Sequence, residues 1–320
     1  MIGKIYGTGS CAPEHYLDND DLAKMVATSD EWIRERTGIV RRHIIQDETM
    51  VSMSAKAAMR ALENSKVKPE EIDLIIVSTT SPESLFPSTA CEVQREIGAA
   101  HAFCFDINAA CTGFIYAYNT AQAYIAAGMC KTVLVIGVEC LSNLVDWKDR
   151  GTCILFGDGA GAVVLKAEEG RLLAARCYSD GFKGDVLTCR SRHRRNWDAP
   201  ERLAESVLHM NGQEVFRFAV KKVPEVIQEV LEQENLTIAD IDYFILHQAN
   251  MRIVEGVSKR LKIAAEKCPM NLQEYGNTSS ASIPLLLDEI NRKAMLKKGQ
   301  KLVMAGFGAG LTWGATIVEW

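Results

Sequence analysis

The sequence predicts an α/β protein whose sheets are covered by helices on both faces. Two observations carry this expectation. Short apolar runs bounded by Gly, Asp or Lys alternate with segments of helical period, and the second half of the chain repeats the pattern of the first. The chain has 320 residues, 48% of them hydrophobic, enough for one large domain or two fused halves.

Ile72 to Ser78 (IDLIIVS), Lys131 to Gly137 (KTVLVIG) and Ala160 to Leu165 (AGAVVL) read as buried strands. Glu92 to Ile97 and Thr112 to Ala127 read as helices between them. In the second half, ADIDYFIL at Ala239 echoes EEIDLIIV at Glu70, and QKLVMAGFG at Gln300 echoes KTVLVIGVE at Lys131. Each pair leads through a glycine-rich turn into a third strand, GDGAGAVVL at Gly157 and LTWGATIVE at Leu311. Generic α/β units can look alike, but three matched strands in matched order favour a duplication, with halves at 1–168 and 169–320. Two similar halves place a site where they meet. The polar stretch Tyr178 to Ala204, with its basic run Arg190 to Arg195, reads as a linker or mobile surface loop.

Charged residues make up 24% of the chain and the net charge is −5, so no global basic field points to nucleic acid. An acidic partner would have to meet a local basic patch. Ten cysteines could suggest a secreted disulfide scaffold, but the chain is too long and core-rich to need one, and no CxxC or CxxH pair offers metal spacing. The opening MIGKIYGTGS has no long apolar stretch, and no apolar run approaches the ~18 residues of a membrane span. The expectation is a cytoplasmic protein with free thiols, most of them small buried hydrophobes, and no metal.

Cys111 stands apart from the other thiols. FCFDI at Phe103 is strand-like, Asn108-Ala-Ala-Cys-Thr-Gly follows, and a long helical run comes next. A sulfur in the first helical turn faces unpaired N–H groups and the positive end of the helix dipole, which favours thiolate; the small neighbours Ala109, Ala110 and Gly113 would let a carbonyl approach. An inert buried cysteine fits the same position. His247 ends the strand YFIL, where α/β sheets hold ligands, or is a satisfied structural histidine. Asn277 sits in the small-residue loop YGNTSSAS, as a site residue or as a turn or cap asparagine. Together the three make a nucleophile with two hydrogen-bonding groups.

These residues sit in segments that resemble the β-ketoacyl-[acyl-carrier-protein] synthase III family of the thiolase-like superfamily: SDEWIRERTGI at Ser29, FPSTAC at Phe86, AACTGF at Ala109, DRGTCILFGDGAGA at Asp149, HQANMRI at His247, YGNTSSAS at Tyr275 and GFGAGLTWG at Gly306. Seven such segments in order span essentially the whole chain. The resemblance implies a thiolase-like αβαβα fold, usually a homodimer, and decarboxylative condensation of a short acyl-CoA primer with malonyl-acyl-carrier protein. It implies Cys111 as acyl carrier, His247 and Asn277 as the decarboxylation pair, and backbone N–H groups of Cys111 and Ala309 as oxyanion donors. Acyl-CoA is a substrate, and no cofactor is implied.

For CoA the resemblance implies Trp32 and Arg150 around the adenine, Arg36 near the phosphates, and Gln213 where relatives usually have asparagine. Trp32 and Arg36 are one helical turn apart and share a face. For the carrier protein it implies the segment Gln248, Ala249, Asn250, Met251 and Arg252, with Arg217 and Lys259 supplying charge. Phe86, Leu141, Phe216 and Phe307 are the expected acyl pocket. Relatives with a second histidine at the Asn277 position, and thiolases with a second cysteine near the C-terminus, differ from this chain. Two rivals remain. One is a same-fold condensing enzyme of secondary metabolism. The other is a cysteine hydrolase, whose C-G-[SA]-C-[WY] flank is absent here.

Overall fold

The computed structural model describes residues 1–190 and 206–320. Nine strands form two sheets: β1 Ile2–Cys11, β2 Leu74–Ser78, β3 Phe103–Ile107, β4 Thr132–Cys140, β5 Asp158–Glu168, β6 Ala175–Ser179, β7 Tyr243–Leu246, β8 Lys301–Gly308 and β9 Thr312–Glu319. The first sheet runs β1-β5-β4-β2-β3 and the second β6-β9-β8-β7. In the first, β2 and β4 are parallel while β4, β5 and β1 alternate in direction. In the second, β7 and β8 are parallel while β8, β9 and β6 alternate. Strand for strand, the second sheet repeats the topology of the first without β3, which is the arrangement the sequence echo anticipates.

Side chains alternate between the faces, and that alternation builds the layers. Ile75, Val77, Leu134 and Ile136 join a core with helices α1 Met50–Ser65 and α2 Thr89–Ile97. Leu74, Ile76, Val133 and Val135 point the other way, into a central core with helices α3 Gly113–Ala126 and α4 Ser282–Arg292. Ile245, Leu302 and Met304 of the second sheet enter that same central core. Phe244, Leu246, Val303 and Ala305 face outward against helices α5 Gly212–Gln233 and α6 Met251–Leu261. The result is five layers, αβαβα, with the central strands of both sheets sandwiched between helices.

Two sequence expectations change. Gly159 and Gly161 of GDGAGA lie inside β5 rather than in a turn before it, and Gly157 immediately precedes the strand. They are there for packing: a Cβ at Gly161 would meet the Leu285 nitrogen at 2.6 Å and the Pro284 carbonyl carbon at 2.7 Å, so α4 can press its backbone onto the strand. Tyr178 to Ala204 is not simply a linker, because Tyr178 and Ser179 complete β6, a 3-10 segment follows at Gly181–Val186, and Leu187–Cys189 pairs with Leu208–Met210. The basic run beyond Arg190 lies outside the described residues. Strand β1 carried no sequence signal, since its apolar residues are interleaved with glycine; Gly7 and Gly9 let it approach the backbone of α1.

The central layer brings the sheets' chemistry together. A Cβ at Gly137 of β4 would sit 2.3 Å from the Ser280 carbonyl oxygen and 2.8 Å from its carbon, both backbone atoms of the turn before α4. Gly137→Ala is therefore expected to lower stability by about 1–3 kcal/mol through overpacking against a backbone that cannot swing aside. Urea titration measures this; an unchanged midpoint would show that the two layers are looser than this contact implies.

Candidate active site

Three chain segments converge on the carboxyl ends of the two sheets. The first follows β3: residues Ala110–Thr112 form one 3-10 turn that runs into α3, and Cys111 sits in it, 9% exposed. Ala110 holds a left-handed φ of 47° just before the nucleophile. The Thr312 hydroxyl donates to the Ala109 carbonyl (3.2 Å) and lies 3.0 Å from the Thr112 hydroxyl. Gly308, at the end of β8, passes so close that a Cβ there would stand 2.7 Å from the Cys111 nitrogen. Ala309 follows it and lines the same cleft as Cys111.

The second segment is His247, directly after β7 and buried among apolar side chains. Its Nδ1 is 2.7 Å from the Ser282 hydroxyl, and its ring meets Phe307 edge to face with centroids 5.4 Å apart. The backbone N–H of Gln248 points to the same Ser282 oxygen at 3.4 Å. The Ser282 oxygen, which takes that N–H on one lone pair, has both a second lone pair and its own proton to offer Nδ1; in the tautomer in which the hydroxyl donates, the ring proton sits on Nε2. Nε2 is buried and has no partner within the protein. Burial pushes the imidazole down to about 3, so the ring is neutral at physiological pH.

The third segment is the turn before α4. The Asn277 Oδ1 accepts the Ser279 N–H at 2.8 Å, which fixes the amide and leaves its NH2 as a donor. Cys111, His247 and Asn277 all line one cleft of about 2720 Å³. This is far larger than the few hundred Å³ that a small ligand needs.

Cys111 departs from the sequence expectation in one respect. Burial pushes its thiol from 9.0 up to about 12, with the Glu139 carboxylate raising it further and the Ser279 hydroxyl and its own N–H opposing. A helix N-terminus is worth about 0.3–1 kcal/mol to an anion, whereas that rise corresponds to roughly 4 kcal/mol. Desolvation wins. The resting sulfur is a thiol, and a proton must leave it when a substrate is attacked.

Toward the exposed end of the cleft lie Trp32, Arg36 and Gln213. Arg36 and Arg150 both stack on the Trp32 ring, at 5.7 and 4.8 Å from its centroid. At 4.8 Å Arg150 touches the ring directly, so a nucleobase enters between them only if Arg150, which also donates to the Ala27 carbonyl (3.0 Å), moves off. Leu141 and Phe307 are buried in the cleft wall, and Phe216, half exposed, lies nearer the rim. Phe86 does not line the cleft of its own chain. It is 85% exposed on the loop before α2. Phe156, which pairs with Asn277 through an isolated β-bridge, is a wall residue that the sequence did not single out.

The segment after His247 is more structural than expected. Gln248 is buried: its amide donates to the Leu246 carbonyl and accepts the Asn271 N–H, so it has no access to a partner's surface. Ala249 lines the cleft. Asn250 caps α6 and donates to the Arg36 carbonyl, Met251 packs over Gly38, and Arg252 donates to the Glu35 carbonyl. Arg252 and Lys259 are exposed on α6; Arg217, exposed and paired with Glu214, and Lys221 lie on α5, which packs alongside where Val220 meets Gly256. Ser279, Ser282 and Glu139 were missed altogether. The only available signal was a carboxylate at the end of the otherwise apolar run TVLVIGVEC.

Comparison with known proteins gives concordant results. The model described as 3-oxoacyl-[acyl-carrier-protein (ACP)] synthase III matches residues 105–181, and that of its C-terminal part matches residues 231–320. A β-ketoacyl-[acyl-carrier-protein] synthase III of Clostridium acetobutylicum is 53% identical over 319 residues, 99% of this chain and 98% of that protein. The crystal structure of 3-oxoacyl-[acyl-carrier-protein] synthase III from Aquifex aeolicus superposes with a TM-score of 0.93 at 45% identity, covering 99% of this chain and 100% of the other. A priming β-ketosynthase of the R1128 polyketide pathway has a TM-score of 0.94 at 35% identity, covering 99% and 96%.

The neutral histidine has a measurable signature. Between about pH 3 and the ordinary 6.5, the unfolded chain binds a proton at His247 that the folded chain excludes. The stability tied to the neutral ring is therefore complete above 6.5 and falls as pH drops through that window. The buried carboxyls of Glu139 and Asp158, both raised by burial, contribute slopes of the opposite sign, so the informative quantity is a difference. Relative to His247→Gln, the wild type is expected to lose roughly 2–3 kcal/mol between pH 6.5 and 4.5. Identical acid slopes in the two proteins would mean that the folded imidazole accepts a proton.

Proposed function

The chain belongs to the 3-oxoacyl-[acyl-carrier-protein] synthase III family and is an acyl-transferring condensing enzyme, and we propose that Cys111, His247 and Asn277 divide its reaction between them. The enzyme joins a short acyl-CoA primer to malonyl-acyl-carrier protein, releasing CoA and CO2 and leaving a β-ketoacyl chain on the carrier, the initiating step of type II fatty acid synthesis. The observation that carries the division of labour is that these three side chains, from segments far apart in sequence, open onto one cleft at its buried end.

In the first half-reaction the Cys111 sulfur attacks the thioester carbonyl and CoA thiolate leaves. The oxygen charge that develops is met by the N–H groups of Cys111 and Ala309, a reading supported by the close passage of Gly308, the residue before Ala309, over the Cys111 nitrogen. In the second, loss of CO2 from the malonyl unit leaves an enolate that attacks the acyl-cysteine and expels the sulfur. The Nε2–H of His247 and the NH2 of Asn277 are the donors for the enolate oxygen. A ring held neutral down to about pH 3 is a poor base and a suitable donor, which supports the electrostatic role over proton abstraction.

At the outer end, Trp32, Arg36 and Arg150 hold the CoA nucleotide, with Gln213 nearer the arm. Leu141, Phe307 and Phe156 form the apolar wall around the primer, with Phe216 at its rim. The cations on α5 and α6 suit an acidic carrier protein. Strand β3 is the free edge of the first sheet, flanked by exposed Phe103, Leu85 and Phe86, which supports a homodimer closed across that edge. Ten unpaired cysteines suit a reducing cytoplasm, and among the described residues no helix is long and apolar enough to cross a membrane.

Cys111→Ala is expected to abolish acylation by acyl-CoA, read as loss of the acyl mass on the intact protein. His247→Ala and Asn277→Ala should still acylate but condense about 10²–10³-fold more slowly. An equal fall in acylation would refute this assignment. Lys259→Glu, free of the structural contact that Arg252 makes, should raise KM for malonyl-carrier protein roughly tenfold at low salt and leave acylation by CoA thioesters unchanged. Parallel losses in both reactions would remove the carrier protein from this face.

A further inference from the structure

The two N–H groups assigned to the first oxyanion sit in turns at the ends of different sheets, so the distance between them has to be fixed by something that joins the turns. Ala309 opens the turn between β8 and β9, and Thr312 is the first residue of β9, paired across the hairpin with Gly308. The Thr312 hydroxyl oxygen lies 3.1 Å from the Ala309 carbonyl oxygen in its own turn. It also lies 3.2 Å from the Ala109 carbonyl oxygen, two residues before the nucleophile. Thr112, directly after Cys111 and completely buried, brings its own hydroxyl 3.0 Å from that of Thr312 and 3.2 Å from the Thr312 carbonyl oxygen. One side chain of the hairpin is thus tied to the nucleophile turn on both sides of Cys111.

A hydroxyl has one proton to give and two lone pairs to offer. Both acceptors that the Thr112 proton meets belong to Thr312, so the tie between the turns holds whichever oxygen takes the Thr312 proton. A hard stop opposes this pull. A Cβ at Gly308 would stand 2.7 Å from the Cys111 nitrogen and 3.1 Å from the Thr112 nitrogen, so the two backbones are already as close as glycine permits. The glycine keeps the turns from closing further, and the hydroxyls keep them from parting. Such precision matters here, because an oxyanion donor acts only within about 2.7–3.1 Å of the developing charge, and a displacement of about 1 Å costs roughly 10²-fold in rate.

We infer that Thr312, paired with Thr112, sets the spacing of the oxyanion donors at Cys111 and Ala309 and is a positioning residue for acyl transfer. Thr312 lines the cleft, yet it acts through the two backbones it joins. Valine in its place would fill nearly the same space and remove the oxygen that holds the Ala109 and Ala309 carbonyls together. The hairpin turn could then draw away from the nucleophile turn and widen the gap between the two N–H groups. The loss falls on the transition state, because the oxygen charge develops only there. Binding of the CoA nucleotide, at Trp32 and Arg36 toward the other end of the cleft, is left as it was.

This rests on the reading that the Cys111 and Ala309 N–H groups hold the oxyanion, and the two claims fail separately. Acylation by acetyl-CoA is followed in single turnovers on wild type, Thr312→Val and Thr312→Ser, read as acyl mass on the Cys111 peptide. Alkylation of the same peptide by iodoacetamide runs beside it, a displacement at saturated carbon that forms no oxyanion. At saturating acetyl-CoA, Thr312→Val should acylate about 10–100-fold more slowly, with the half-saturating concentration and the alkylation rate unchanged. Thr312→Ser should recover most of the lost rate. Unchanged acylation in Thr312→Val, an equal slowing of alkylation, or a serine variant as slow as the valine one would overturn the positioning role. The reading beneath it is tested by an ester in place of the Gly308–Ala309 amide, which removes the Ala309 N–H; undiminished acylation there would overturn that reading. Should Thr312→Val fail to fold, Thr112→Val removes the other hydroxyl and decides: slower acylation with unchanged alkylation supports the tie, and unchanged acylation overturns it.

Discussion

The site depends on the close meeting of two helical turns, one entering α3 and one entering α4, above the carboxylate of Glu139. The turns are built alike. Asn108-Ala-Ala-Cys and Asn277-Thr-Ser-Ser occupy matching places ahead of their helices, and each asparagine Oδ1 accepts the N–H two residues on, at 3.4 and 2.8 Å. The residue after that gap is left-handed in both, with φ 47° at Ala110 and 48° at Ser279. A non-glycine residue held there costs about 1–3 kcal/mol and persists only where its surroundings enforce it. Here they do: glycines at 137 and 308 admit the neighbouring backbones, and the Ser279 and Ser280 hydroxyls of the second turn are drawn to the Glu139 carboxylate.

Like turns serve unlike purposes. In one, the fourth residue is Cys111 and faces the cleft. In the other it is Ser280, whose hydroxyl serves the Ser78 carbonyl and Glu139, while the asparagine three residues earlier faces the cleft in its place. A duplicated structural device has thus supplied a nucleophile from one copy and an amide donor from the other. The burial that holds both turns also sets their chemistry. It keeps His247 uncharged and Cys111 protonated, and it excludes the water that would weaken the N–H donors aimed at a developing oxyanion.

The layers were legible because they follow from alternation. IDLIIVS and KTVLVIG are apolar on both faces, and the structure divides them residue by residue between the outer and central cores. The observed strand Thr132–Cys140 runs three residues beyond the expected end at Gly137, since Val138 and Cys140 still face the core although Glu139 breaks the apolar run. Strand β1 was illegible for the opposite reason. Its glycines are selected by the approach of α1, a tertiary demand with no period of its own. The same holds for GDGAGA, where the composition suggests a turn and the packing of α4 requires a strand.

At the site, the legible residues were those whose type announces their chemistry. Cys111, His247 and Asn277 could be picked out because a thiol, an imidazole and an amide at element ends have few bland uses in common. Ser279 and Ser282 could not, because a hydroxyl acquires meaning only from what lies within 3 Å, and that depends on how two distant turns are brought together. Glu139 shows the limit most clearly. Read locally it interrupts a buried strand and looks like an error of pattern. In the fold it is surrounded by hydroxyl and N–H donors contributed by two segments, Thr79 to Ser81 and the Ser279–Ser280 turn, that no local window joins. A carboxylate buried at the end of an apolar strand departs from the preference for burying only neutral groups, and such departures concentrate where the chemistry is.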